Sequence, residues 1–306
     1  MARFWAPEID VHEELARELI AAQFAELGPQ RLRPFGAGMD NAAFLVNERY
    51  VFRFPRREIA VPLLERETQI LPLLANRVPV RIPVPQFVGT ASERYPWLFA
   101  GYERLPGTSA CSVSLSDQHR ETIAPALGSF LRALHAIDPS TAIACGLPGD
   151  EMKRLDHAHR FPLAQERFAL LEDAGAITNT QPFLDFMASV APENLEPSVV
   201  AHGDLYARHL LVDGKRDLCA VIDWGDVHYG HPAVDLMVAH ILLPPSAHAA
   251  FVEAYGGVDA RTWDIAKYRA VYHCALVADY GIQIGDAALW DAGLTGLRFI
   301  RETLSR

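Results

Sequence analysis

Ala201-His202-Gly203-Asp204-Leu205-Tyr206-Ala207-Arg208-His209 decides how the chain is read, together with Val221-Ile222-Asp223-Trp224, whose Asp223 lies fourteen residues beyond His209. Upstream, Pro197-Ser198-Val199-Val200-Ala201 is a short apolar run that ends in a polar turn, the pattern of a strand feeding a loop. Downstream, His209-Leu210-Leu211-Val212 and Leu218-Cys219-Ala220-Val221-Ile222 flank the turn-forming Asp213-Gly214-Lys215-Arg216-Asp217 and predict a hairpin. A tight hairpin folds back on itself, so Asp223 at one end returns close to Asp204 and His209 at the other. Two carboxylates and an imidazole then share a small volume. Carboxylates grouped in this way repel unless a cation sits among them or they work as an acid/base pair. A divalent metal holding phosphate satisfies both readings.

His202-Gly203-Asp204, a ligand-type residue five positions after the aspartate, and Ile222-Asp223-Trp224 resemble the aminoglycoside phosphotransferase family, which shares the protein-kinase-like fold. In protein kinases the matching loop runs His-Arg-Asp with Asn five positions after the Asp, and the second Asp comes from Asp-Phe-Gly. The resemblance implies that Asp204 accepts the substrate hydroxyl proton and that Asp223 is a metal ligand. It extends into Gly225-Asp226 and Gly230-His231-Pro232-Ala233-Val234-Asp235-Leu236, where Asp235 would tie a helix back to the catalytic loop. The family usually has Asn where this chain has His209, and a His there resembles the macrolide phosphotransferase branch. Magnesium is a hard cation that prefers oxygen, whereas imidazole suits softer metals. Three roles for His209 follow: a weak ligand, a residue acting through water, or a ligand that tolerates another metal.

The chain has 306 residues, half of them hydrophobic, enough for one large core or two modest ones. Its formal charge of -10 argues against an electrostatic nucleic-acid binder, whose footprint would be basic, and suits a cationic small substrate. Cys111, Cys145, Cys219 and Cys274 are widely separated and form no CxxC pair, so neither a zinc site nor a disulfide framework is expected. Glu8 interrupts the start before an apolar h-region forms, and no uncharged apolar run approaches membrane-spanning length. The expectation is a cytoplasmic protein that engages neither membrane nor nucleic acid.

Taken in order, Asp10 with Glu13 has capping-box spacing before a helix whose stripe is Leu15, Leu19, Ile20 and Phe24, stopped by Gly28-Pro29. Residues 32–55 read as three strands with a glycine turn, in which Gly36, Gly38 and Asn41 are nucleotide-binding candidates. Glycines let backbone N–H groups approach phosphate oxygens, although Gly-x-Gly alone also fits an ordinary tight turn. In Tyr50-Val51-Phe52-Arg53-Phe54 the alternation places Arg53 on the face opposite Phe52 and Phe54, where a cation needs a partner. By resemblance this position holds the α- and β-phosphates and pairs with a helix glutamate. Arg replaces the usual Lys there, another likeness to macrolide phosphotransferases, and its fork can grip phosphate bidentately. The helix from Val61 to Leu71 supplies Glu67 as the matching glutamate, with Glu65 in reserve. Strands are expected at Pro85–Gly89 and Tyr95–Tyr102. The segment Tyr102-Glu103-Arg104-Leu105 before Pro106-Gly107 then matches the hinge whose backbone binds the nucleobase, although Pro-Gly also marks plain connectors.

Beyond it the pattern turns helical, at residues 117–137, 152–173, 181–190, 233–242, 246–255, 259–280 and 286–304. His135 reads as a packed helix-terminal residue, and His157 and His159 as solvated. Acidic residues usually line this family's acceptor pocket when the acceptor is an aminoglycoside, which makes Asp226 and Asp279 candidates.

The resulting expectation is an α+β, bilobal protein-kinase-like fold. Residues 1–101 form a β-rich, nucleotide-binding N-lobe with one key helix, and residues 102–306 a larger helical C-lobe with the catalytic loop and acceptor site. The expected reaction moves the γ-phosphoryl of ATP or GTP, with Mg2+ or Mn2+, to a hydroxyl of an aminoglycoside-like or macrolide-like acceptor. Asp204 is the catalytic base, and Asp223 and His209 hold the metal. The alternatives are a kinase for choline, an amino alcohol or a sugar amine, and a nucleotide-binding pseudokinase motivated by Arg53 and His209.

Overall fold

Arg53 occupies the middle strand of a five-stranded sheet formed within the chain's first 105 residues. The structure, a computed structural model, describes residues 7–28, 30–37 and 40–304. Its contacts separate two compact units: the described residues up to Asn76 with Arg81–Leu105, and Arg77–Val80 with Pro106 onward.

In the first unit, helix α1 (Glu13–Gln23) is capped by His12, whose Nδ1 accepts the Leu15 N–H at 3.2 Å. The sequence had suggested Asp10. The first helical hydrogen bond runs from Ala16 N–H to His12 O, so Asp10 lies two residues too early to cap the helix. Strands β1 (Leu32–Ala37), β2 (Asn41–Val46) and β3 (Tyr50–Pro55), helix α2 (Val61–Leu74), and strands β4 (Pro85–Gly89) and β5 (Phe99–Glu103) follow. The sheet is antiparallel in the order β1-β2-β3-β5-β4, with Arg53 paired to Ala43 on one side and Ala100 on the other. Strand β5 begins at Phe99, later than the sequence pattern suggested. Tyr95 makes an isolated bridge with Ser92 and donates its hydroxyl to Pro55 O at 2.8 Å, and Pro96 interrupts the ladder.

One sheet face carries Phe52, Phe54 and Phe99, all fully buried, with Phe54 and Phe99 stacked 4.7 Å apart. Strand alternation sends Arg53 to the other face.

The second unit contains strand β6 (Thr108–Ser109) and helices α3 (Asp117–His135), α4 (Pro139–Ala144), α5 (His157–Asp173) and α6 (Gln181–Val190). Strands β7 (Val199–Ala201), β8 (Leu210–Val212), β9 (Leu218–Val221) and β10 (His228–Gly230) come next. Helices α7 (Ala233–Leu242), α8 (His248–Tyr255), α9 (Ala260–Ile284) and α10 (Ala287–Leu304) complete it. β8 and β9 form an antiparallel hairpin with β6 on the β8 edge, and β10 pairs antiparallel with β7.

Helix α5 starts at His157, not at residue 152, because Asp156 accepts the His159 N–H at 3.0 Å and caps it there. His157 is half-buried, with Nδ1 3.1 Å from the Tyr268 hydroxyl, whereas His159 is exposed. The short elements α4, β6 and β10 carry too few residues to show a period. α9 and α10 approach closely across Gly293, where an added Cβ would lie 2.7 Å from backbone atoms of Cys274 and Ala278.

Candidate active site

β7 delivers the chain into a loop that only glycine can begin. Gly203 has φ +88°, and a Cβ there would stand 2.3 Å from the Asp226 carbonyl oxygen. Asp235, fully buried at the start of α7, holds the loop from behind. Its Oδ2 accepts the His202 N–H at 2.7 Å and its Oδ1 the Gly203 N–H at 2.9 Å, while His135 Nε2 lies 3.2 Å from Oδ2. Burial by itself would raise this carboxyl, but the His135 hydrogen bond, the nearby imidazoles and the Gly203 amide bring it down to about 2. Tyr255 hydroxyl, 2.8 Å from His135 Nδ1, extends the network.

His202 faces the opposite way and joins two loops. A carbonyl can only accept, so its Nε2–H donates to Ile222 O at 3.1 Å, and its Nδ1 accepts the Asp204 N–H at 3.3 Å. Burial lowers its pKa to about 4, so the ring is neutral at physiological pH. The residues preceding Asp223 are therefore tied to the backbone of Asp204 through one buried imidazole. Trp224, wholly buried against His202 at 4.7 Å between ring centroids, fills the space behind.

Between the two aspartates stands His209. Its Nδ1 donates to the Asp204 carbonyl oxygen at 2.7 Å and lies 3.6 Å from the Asp204 Oδ2, and its Nε2 lies 3.3 Å from the Asp223 Oδ2. Asp223 has φ +65°, a left-handed conformation that a short polar residue tolerates. With Nδ1 turned to the Asp204 carbonyl, Nε2 is the ring nitrogen that faces the Asp223 carboxylate.

Among the described residues no group of three or more His, Cys, Asp or Glu side chains is arranged to hold a metal ion. His209 Nε2 and Asp223 Oδ2 are two donors. Two donors suit a hard cation that arrives with phosphate oxygens and keeps several waters, and do not suit a cation caged by protein alone.

The Asp204 carboxyl is shifted up to about 6. Burial is the main cause; His209 opposes it, Asp226 and Asp223 add to it, and Arg269 opposes it. A carboxylate poised near neutrality meets the requirement for a general base. Two arginines close to it were not picked out from sequence. Arg154 is nearly buried and bonds Asp150 Oδ1 at 2.6 Å and Asp226 Oδ1 at 2.9 Å. Arg269 is 5% exposed in α9. The sequence signal for Arg269 is an arginine inside Tyr268–Val277, a run that is apolar or aromatic apart from it and His273.

In the first unit, Arg53 Nη1 lies 2.8 Å from both carboxylate oxygens of Glu67, whose side chain is 1% exposed. Glu65, the reserve candidate, is exposed on the same helix. Gly36 lies at a bulge of β1 and Asn41 opens β2, opposite Pro55, while Gly38 lies outside the described residues. Tyr102 is buried within β5, and Glu103 stands 3.4 Å from Arg49. The Arg104 N–H donates to Arg49 O at 2.7 Å and is committed within the unit, and Leu105 is its last residue.

Residues 31–271 match the family described as APH, Phosphotransferase enzyme family. Solved structures with this fold include the GDP and kanamycin complex of APH(2")-IIia, 23% identical over 94% of this chain and 98% of that one, with a TM-score of 0.66. The streptomycin-ATP-APH(2")-IIa ternary complex is 20% identical over 94% and 99%, with a TM-score of 0.59. Macrolide 2'-phosphotransferase MphH from Brachybacterium faecium is 23% identical over 88% and 92%, with a TM-score of 0.57. At these identities the likeness establishes the fold: a β-sheet N-terminal region and a helical C-terminal region, as in kinase-like phosphotransferases.

Proposed function

The chain belongs to the phosphotransferase enzyme family, and from that premise we propose that it moves the γ-phosphoryl of ATP or GTP to a hydroxyl of a small-molecule acceptor, with Asp204 as base. The presence of both Asp204 and Asp223 argues against the pseudokinase alternative that Arg53 and His209 motivate. The observation that carries the proposal is His209, set between Asp204 and Asp223 with one nitrogen toward each. GDP, ATP, kanamycin and streptomycin in the complexes of structural neighbours support nucleotide and small-molecule chemistry at such a site.

Asp204 takes the proton of the acceptor hydroxyl. The freed oxygen forms a bond to the γ-phosphorus as the bond from phosphorus to the bridging oxygen breaks, and the nucleoside diphosphate leaves with that electron pair. The proton on Asp204 then passes to solvent. Asp223 and His209 Nε2 are the residues that would hold Mg2+ or Mn2+, which when bound offsets phosphate charge. His202 and Asp235 keep the loops in place and touch no reacting atom. In the first unit, Arg53, oriented by Glu67, is the phosphate-gripping cation, Gly36 of β1 and Asn41 of β2 are the further phosphate-side candidates, and Tyr102 to Leu105 is the nucleobase segment. Catalysis of this kind is mostly positioning and charge neutralisation.

The test is nucleotide consumption by the purified protein with ATP and GTP, in Mg2+ and in Mn2+, against aminoglycosides, macrolides and hydroxylated metabolites. Acceptor-dependent diphosphate release that disappears in Asp204→Asn is the expected result. Release that persists at the wild-type rate in Asp204→Asn would remove Asp204 from the mechanism.

A further inference from the structure

Aromatic rings run in series through His209. Its ring centroid lies 4.6 Å from that of Tyr206 and 6.2 Å from that of His202; Tyr206 in turn lies 5.0 Å from His273 of α9, and His202 4.7 Å from Trp224. Tyr206 meets His209 at 69° and His273 at 70°, the steep edge-to-face geometry that is one of the favoured arrangements of such rings. The outer members are fixed. His202 is hydrogen-bonded at both nitrogens, Trp224 is wholly buried and donates to Val221 O at 3.2 Å, and His273 is 4% exposed. Burial holds His273 well below its ordinary pKa, so it contributes a neutral ring and not a charge.

The backbone beneath this series leaves the His209 side chain as the variable part. The His209 N–H closes a turn onto Tyr206 O at 3.0 Å, Ser109 Oγ donates to Arg208 O at 2.9 Å, and the Ile222 N–H donates to His209 O at 2.9 Å. With the main chain held, the direction of His209 Nε2 depends on the two torsions of its side chain. The hydrogen bond from Nδ1 to Asp204 O pins one ring atom, but a carbonyl oxygen accepts over a broad range of directions, so the ring plane can still swing about that contact. The Tyr206 ring stands against that swing. Tyr206 and His273 also border a cavity of about 450 Å³, and His273 is the ring that backs Tyr206 along this border.

We propose that Tyr206, backed by His273, is a positioning residue for the metal site: its ring holds the His209 imidazole so that Nε2 stays directed toward Asp223 and the cation that the pair would hold. The inference rests on the reading of His209 and Asp223 as the metal-holding residues. Tyr206 and His273 touch no reacting atom. A ligand aimed in advance loses little side-chain freedom when the cation binds, and residues that orient a metal-ligating histidine contribute to affinity for that reason. The aromatic plane does this work, not the phenol hydroxyl or an imidazole charge, so phenylalanine at either position should serve.

The experiment measures Mn2+ binding to the full chain with ADP by electron paramagnetic resonance, and the nitrogen modulation of the bound ion by spin-echo spectroscopy. Wild type should show modulation from a directly bound nitrogen, and His209→Asn should lose it. Tyr206→Ala is expected to weaken Mn2+ binding about fivefold or more and to reduce the modulation, and His273→Ala to do the same to a smaller extent. Tyr206→Phe and His273→Phe should stay within about twofold of wild type, because they keep the ring contacts. In a His209→Asn background Tyr206→Ala should have no further effect on Mn2+ affinity, since the tyrosine acts through the imidazole. Far-UV circular dichroism and ADP binding in EDTA, both unchanged, report that each variant is folded; if Tyr206→Ala is not, Tyr206→Leu, which keeps bulk without the aromatic plane, is measured in its place.

Wild-type affinity and modulation in the folded Tyr206 truncation, an equal loss in Tyr206→Phe, or an additive loss in the double variant would overturn the proposal. Modulation that is absent from wild type, or unchanged in His209→Asn, removes the metal-holding role of His209 and the positioning role with it. Modulation that depends on His209 but not on Tyr206 removes the positioning role alone.

Discussion

The Asp235 carboxylate accepts the backbone N–H of His202 at 2.7 Å across the base of the catalytic loop, without a side chain between them. With the Gly203 amide on its other oxygen, a buried ion at the start of α7 fixes the loop's backbone. Asp235→Ala leaves those two amides and His135 without this acceptor. It is expected to lower unfolding free energy by about 3 kcal/mol or more, measured by urea denaturation. The carboxyl's folded pKa of about 2 lies below its ordinary 3.8, so its contribution is present above pH 4 and disappears as pH falls toward 2. That contribution is on the order of 2 kcal/mol. Wild type should therefore lose more stability than Asp235→Asn between pH 5 and 3.

Asp204 has the opposite sign. Its folded pKa of about 6 lies above the ordinary 3.8, so the ionised side chain opposes folding; whatever stability it contributes below pH 4 is lost as pH rises through 6. Asp204→Asn is expected to raise the Tm at pH 7.5 by roughly 2 °C or more, while turnover falls by about 100-fold or more and nucleotide still binds. In wild type, kcat/KM should climb with pH and level off above about 6. A flat profile between pH 5 and 7 would separate Asp204 from the proton transfer.

Arg53 and Glu67 form a charged hydrogen-bonded pair in which the glutamate is almost wholly buried. Arg53→Ala removes both the proposed phosphate contact and the Glu67 partner, and is expected to raise the nucleotide KM by about 10- to 100-fold. Arg53→Lys keeps the charge but loses the planar fork, so its KM should fall between wild type and Arg53→Ala. Isothermal titration with the nucleotide diphosphate measures the same order.

His209 offers nitrogen where a hard cation prefers oxygen. His209→Asn should therefore raise the ratio of kcat/KM in Mg2+ to that in Mn2+ by several-fold. Adding EDTA should abolish turnover in both forms, with recovery when either ion is returned.

Much of this geometry was legible in sequence because its determinants are local. The hairpin that brings Asp223 back to His209 follows from two short apolar runs and a turn, and the strand alternation around Arg53 demanded a partner for it. Position along the chain failed where a few residues compete. Asp10 looked like a helix cap, but His12 reaches the first free amide; Tyr95 looked like a strand residue, but it bonds Pro55 instead. Arg154, Arg269 and His273 were not picked out because their roles depend on helices far apart in sequence packing against the loop. No periodicity distinguishes a buried arginine beside a carboxylate from a solvated one.

The most direct measurement of the central claim is a phosphorus NMR assay of the purified protein with MgATP or MgGTP and a hydroxylated acceptor, run for wild type and for Asp204→Asn. A new phosphate-ester resonance that grows in step with diphosphate in wild type, and is absent in Asp204→Asn despite retained nucleotide binding, is the result expected. Inorganic phosphate as the sole product, or an ester formed equally fast by Asp204→Asn, would contradict it.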